Sequence, residues 1–135
     1  MRVQPGEGKI PFDDAQFDFV TAVCVYHHVP PPLRDDLTAE VRRVLKPGGV
    51  FAIIEHNPYN PVTRLIVRRT PIDAGAILLR SAETRELLLR QKFAIDDQLY
   101  FLYLPETVYS KAGQLESALS RLPLGGQYAV FARSP

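Results

Sequence analysis

Between Phe17 and Tyr26 the chain reads FDFVTAVCVY, an almost unbroken apolar and β-branched run after Asp18. Alternation disappears when neither face meets water, so the run predicts a strand buried on both faces, as in a parallel sheet. Pro30-Pro31-Pro32 opens the next element, because proline is tolerated in a first helical turn. Leu33, Leu37, Val41, Val44 and Leu45 then recur at helical spacing, with Arg34, Asp35, Asp36, Glu40, Arg42 and Arg43 on the other face. Lys46-Pro47-Gly48-Gly49 supplies a cation, a helix breaker and two permissive residues, which stop the helix. Val50 to Glu55 follows as a second buried strand. The unit predicts a right-handed parallel crossover.

Beyond Glu55 the pattern weakens. Asn57-Pro58-Tyr59-Asn60-Pro61 reads as a loop, and Thr63 to Arg69 as a short helix with Arg64 and Arg68 on one side. Ser81 is placed as the N-cap of a helix running to about Gln91, with Leu87 and Leu88 turned inward. Ile95 to Leu104 has strand composition, Val108 to Leu122 is read as a helix, and Gln127 to Ala132 as a last strand. The order describes a layered α/β domain. The 135 residues suffice for one domain, residues 1–135, with residues 1–9 expected to be poorly ordered.

Composition narrows the function classes. A net charge of +1 offers no electrostatic case for nucleic acid or an anionic membrane. No apolar run is long enough to span a bilayer, and Met1 to Gly8 has no signal-peptide core. The single cysteine, Cys24, excludes an internal disulfide framework and fits a reducing compartment, so a cytoplasmic location is expected. Cys24 sits inside the first apolar run, where an inert core thiol is the expected reading.

Three motifs go further. Ile10-Pro11-Phe12-Asp13-Asp14-Ala15-Gln16-Phe17-Asp18-Phe19-Val20 resembles the "LPF-x-D-x-x-FD-x-V" segment of class I S-adenosylmethionine-dependent methyltransferases. Tyr26-His27-His28-Val29 resembles the "L-H-H-V" that closes that family's fourth strand, and Glu40 to Gly49 resembles its "E-x-x-R-V-L-K-P-G-G". Their order is the family's order. The resemblance implies a partial Rossmann-like sheet from the fourth strand onward, with parallel strands, an antiparallel C-terminal strand and helices on the faces. It also implies S-adenosylmethionine as cofactor and methyl transfer to a small-molecule acceptor. The family's glycine-rich turn after its first strand has no counterpart here, and Gly6-Glu7-Gly8 lacks a strand before it and a helix after it. This chain therefore reads as the family's C-terminal half, inactive as an isolated piece. The same gap removes the dinucleotide fingerprint of a dehydrogenase.

In open α/β sheets, ligands sit beyond the carboxyl ends of the strands, where Tyr26-His27-His28 and Glu55-His56-Asn57 fall. The resemblance places the first of these ends beside the methionine and methyl portion of the cofactor. Tyr26 and His27 are therefore the cofactor-binding candidates, with Glu7 as a stand-in for an acidic residue near the adenine. His28 and Glu55 are the catalytic candidates; Glu55 equally suits capping a loop or pairing with an arginine. His56 and Arg64 are the substrate-binding candidates. A zinc centre of His27, His28 and His56 is the rival reading. It lacks a fourth ligand and a recognisable spacing, so no metal ligand is assigned. An interaction module is the competing function. Without the strand that the family places beside it, residues 17–26 would leave an apolar sheet edge open to a second copy or a separate N-terminal half.

Overall fold

The computed structural model describes residues 8–103 and 118–135. Strand β1 (Phe17–Val23) leads through 3₁₀ turns at Tyr26–His28 and Pro31–Leu33 into helix α1 (Arg34–Val44) and strand β2 (Leu45–His56). Helix α2 (Pro61–Arg69), a 3₁₀ turn at Pro71–Asp73, helix α3 (Ser81–Arg90) and strands β3 (Ala94–Phe101) and β4 (Gln127–Arg133) complete the order. The sheet runs β1-β2-β4-β3, with β1 parallel to β2 and β4 antiparallel to both of its neighbours. This is the expected parallel unit with an antiparallel last strand.

Two boundaries differ from expectation. β1 stops at Val23 because Cys24 adopts a left-handed backbone (φ 54°), which turns Tyr26-His27-His28 into a 3₁₀ turn. β1 is also an edge strand and is not buried on both faces; Phe19 and Val23 are 53% and 51% exposed. Ser81 is the first residue of α3 and not its cap. The cap is Arg80, whose backbone N–H donates to Glu83 Oε2 at 2.6 Å. Most of the helix expected over Val108 to Leu122 lies outside the described residues, as does nearly all of residues 1–9.

Helices α1 and α3 cover one face of the sheet. Phe51 and Ile53 of β2, with Tyr128, Val130 and Ala132 of β4, meet Val41, Leu87, Leu88 and Phe93 in one core. Three tyrosines enter that core with their hydroxyls satisfied, as buried polar groups must be. Tyr26 pairs with Thr38 at 3.0 Å, Tyr100 with Ser81 at 2.7 Å and Tyr128 with Thr84 at 2.6 Å. Burial pushes the Tyr26 and Tyr128 phenols well above their ordinary pKa.

The two non-strand motifs have mechanical roles at the amino-terminal edge of β1. Arg43 donates to Ile10 O, Phe12 O and Asp14 Oδ1, and twice to Glu40. Glu40 also accepts from Ile10 N at 3.1 Å. The Glu-x-x-Arg pair thus straps the Ile10–Asp14 segment to α1, while Phe12 meets Phe17 edge-to-face at 4.8 Å. After α1, Gly48 takes a left-handed φ of 76°, and the pairing jumps from Phe17↔Leu45 to Phe19↔Val50. A Cβ at Gly49 would lie 2.9 Å from Lys46 O, so this turn requires glycine.

The Arg43 guanidinium holds the Glu40 carboxyl below its ordinary pKa. A depressed carboxylate contributes stability above its unfolded pKa and loses it as pH falls through the folded value. Replacing Glu40 with Gln is therefore expected to lower the urea midpoint at pH 7 and to narrow the gap from wild type below pH 4. Urea titrations at the two pH values check this.

Candidate functional site

The carboxyl ends of β1 and β2 are joined by one buried carboxylate. Glu55 is wholly buried; its Oε1 accepts the backbone N–H of Tyr26 at 2.7 Å, and its Oε2 lies 2.5 Å from His27 Nδ1. A buried carboxylate is tolerable only when paired and hydrogen-bonded, and both conditions hold here. A carboxylate accepts, so this contact favours the tautomer in which His27 Nδ1 donates to Glu55. The other ring nitrogen, Nε2, is buried and has no hydrogen-bond partner. Asp73 Oδ1 lies 3.4 Å from it, without hydrogen-bond geometry, and the same oxygen is 3.4 Å from His28 Nε2.

Asp73 reaches the site from the Pro71–Asp73 turn. That turn is anchored where Ile77 N donates to His27 O at 2.8 Å and Arg34 Nη2 donates to Ile77 O at 2.8 Å. His56 completes the group, its ring centroid 5.2 Å from that of His27. Its Nε2 stands 3.7 Å from Cys24 Sγ, and Gln127 Nε2 donates to the same sulfur at 3.5 Å. Partial burial, with His27 nearby, holds the His56 pKa below its ordinary value, so the ring is neutral at pH 7. Burial, then the charges of Glu55 and Asp73, pushes the Cys24 thiol up; a protonated thiol is a poor nucleophile.

His56 also borders a cavity of about 470 Å³ that opens between α2 and the start of β4. Asn60, Val62, Thr63, Ile66 and Gln127 contribute to its walls. Asn60 caps α2 by accepting from Val62 N and Thr63 N at 2.9 and 3.0 Å. Buried Asn57 fixes the same corner by donating to Pro123 O and Gly125 O.

The candidates named from sequence separate in space. His27, His28, Glu55 and His56 converge. Tyr26 is adjacent in the chain, yet its side chain is buried against Thr38 and Phe51 and presents no surface to a ligand. Glu55 is wholly buried and holds His27 and the Tyr26 amide, the pairing role but with a histidine in place of an arginine. Arg64 is exposed on α2 and does not border the cavity beside His56. Glu7 lies outside the described residues. His27 and His28, expected to point to opposite faces of an extended strand, instead have ring centroids 4.1 Å apart because the backbone is a 3₁₀ turn. Asp73 was missed: it follows a proline in a stretch without periodicity, and nothing local ties it to histidines some forty-five residues earlier.

Residues 1–53 match the family model described as "Methyltransferase domain". The fold that carries this segment is also that of solved methyltransferases. A S-adenosylmethionine-dependent methyltransferase from Thermotoga maritima superposes with a TM-score of 0.69 at 16% identity, covering 95% of this chain and 61% of its own. One from Archaeoglobus fulgidus gives 0.64 at 17% identity, covering 89% of this chain and 60% of its own. Residues 1–53 thus resemble a methyltransferase domain, and the chain has the fold of solved S-adenosylmethionine-dependent methyltransferases. Among its relatives by sequence, an uncharacterized methyltransferase of Synechocystis is 38% identical over 52 residues, 38% of this chain and 24% of that protein. A sterol 24-C-methyltransferase of Gibberella zeae is 45% identical over 47 residues, 35% of this chain and 12% of its own length. The chain therefore aligns with a quarter or less of these two relatives and about three fifths of the solved structures.

Class I methyltransferases use S-adenosylmethionine, and the donor set can be compared with that group. Among the described residues no glycine-rich turn follows a strand, and Tyr26 is engaged in the core. What lies beyond the carboxyl end of β1 is the His27-His28 turn. No helix among the described residues is long and apolar enough to cross a membrane.

Removing the carboxylate tests its central position. Replacing Glu55 with Ala strands the Tyr26 amide and the His27 Nδ1–H in the interior, a loss on the order of 3–5 kcal/mol. Replacing half-exposed His28 with Ala is expected to cost under about 1 kcal/mol. Urea denaturation of the two variants checks the contrast.

Proposed function

We propose that this chain forms the acceptor side of a S-adenosylmethionine-dependent methyltransferase acting on a small molecule. The observation that carries the reading is the convergence of His27, His28, Glu55 and His56 at the carboxyl ends of two adjacent parallel strands. That edge is where open α/β sheets bind their ligands. The cavity beside His56 has the volume of a small-molecule site and a largely apolar wall with a few polar groups, among them His56, Asn60, Thr63 and Gln127.

The chemistry asks little of these side chains. The sulfonium of S-adenosylmethionine is an activated donor, so holding a nucleophile in line with its methyl group supplies much of the rate. A base is needed for hydroxyl or ammonium acceptors alone, and the reading assigns none; His56 contributes to the wall of the cavity. The groups that grip the rest of the cofactor are absent from the described residues, so we infer that this chain by itself is inactive. Isothermal titration of S-adenosylmethionine into this chain is expected to show no binding at micromolar affinity. Micromolar binding would show that the residues present suffice for the cofactor site.

The free edge of β1 supports a second reading, an interaction module that pairs with a second copy or a separate N-terminal half. Among the described residues β1 has a strand on one side only, and Phe19 and Val23 on it and Val25 just after it are exposed. Unpaired edges with apolar side chains invite strand addition. Sedimentation of this chain at rising concentration is expected to reveal self-association. A monomer throughout, unchanged by replacing Phe19 with Lys, would leave the edge without that role.

A further inference from the structure

The proposed methyl transfer leaves two features of this edge unused, the unpartnered Nε2 of His27 and the approach of Asp73. His27 Nε2 is a buried polar atom without a hydrogen-bond partner, and such atoms are rare because each costs about 1–3 kcal/mol. It faces one ligand-capable atom each from His56 and Asp73, and the three lie within 4.8 Å of one another. We propose that these three residues bind a divalent transition-metal ion of the zinc class, with His28 as the fourth ligand.

Distances support a tetrahedral site. Zinc bonds of about 2.0–2.1 Å to nitrogen and oxygen place neighbouring ligand atoms about 3.3–3.4 Å apart. Asp73 Oδ1 is 3.4 Å from both His27 Nε2 and His28 Nε2, so two edges of the tetrahedron are already formed. His56 lies within 4.8 Å of the His27 and Asp73 ligand atoms and closes on the ion by moving inward, while exposed His28 turns its ring to complete the set. The ligand types agree, since imidazole nitrogen with one carboxylate suits zinc and its neighbours in the first transition series.

The surroundings agree as well. Glu55 holds the Nδ1 proton of His27, which leaves the Nε2 lone pair for a metal, the carboxylate–histidine–metal relay found around zinc ligands. Among the described residues, the ion pairs of Glu55 and Asp73 are with these histidines and not with lysine or arginine. Two carboxylates would balance a doubly charged ion. One side of the site stays open at half-exposed His28, giving the ion an entry path.

The rival arrangement is a metal-free imidazolium, with His27 protonated between Glu55 and Asp73. The two are separated by titrating the chelator-treated full chain with Zn²⁺ by calorimetry and with Co²⁺ by visible absorption. One Zn²⁺ per chain at sub-micromolar affinity is expected, with the intense bands of tetrahedral Co²⁺ and a melting temperature raised by several degrees. Asp73→Asn and His56→Gln should each weaken Zn²⁺ at least tenfold while the far-ultraviolet circular dichroism stays that of wild type. Glu55→Gln keeps an acceptor for the Tyr26 amide but donates to His27 Nδ1, which forces the proton onto Nε2. It should weaken Zn²⁺ by 10- to 100-fold, as removal of an outer-shell partner does. No Zn²⁺ binding below about 100 μM, or wild-type affinity in either ligand variant, overturns the site. These readouts are independent of S-adenosylmethionine binding, so each proposal can fail without the other.

Discussion

Glu55 is the residue on which the carboxyl edge of this sheet depends. Its carboxylate is wholly buried, and in that position it must find hydrogen-bond donors. It finds the Tyr26 amide and the His27 ring, both on the segment that follows β1. Those bonds accompany the departure from β geometry after Val23, hold His27 in the interior and set which ring nitrogen carries its proton. Cys24 accommodates the bend with a left-handed backbone. The histidine cluster, the Ile77 anchor and the approach of Asp73 all follow from that arrangement.

The opposite edge is organised by an equally local device. Glu40 and Arg43, one helical turn apart on α1, strap the segment before β1, and the glycine turn after α1 sets the start of β2. Two of the three family motifs are therefore scaffolding, and the third sits at the site. This division matches the general behaviour of α/β sheets, in which connections at one edge vary with function and those at the other hold the fold. The methyltransferase-like fold thus sets the frame, while α2 and the start of β4 supply walls of the cavity beside His56.

The amino-acid sequence determined the strand–helix–strand unit, the likeness to methyltransferases and the strand ends at which His27, Glu55 and His56 lie. Those features are local: apolar runs, helical periodicity, a proline–glycine stop and motifs closely spaced in the chain carry them. Only tertiary structure decided that β1 is a partly exposed edge, that Tyr26 belongs to the core and that Ser81 serves Tyr100 and not the helix cap. Asp73 and His27 are brought together by a loop without periodic pattern, through long-range bonds such as Ile77 N to His27 O, and no short window of sequence contains both partners. A residue's place in an element can be read from its neighbours in the chain; its role in a site depends on neighbours that folding supplies.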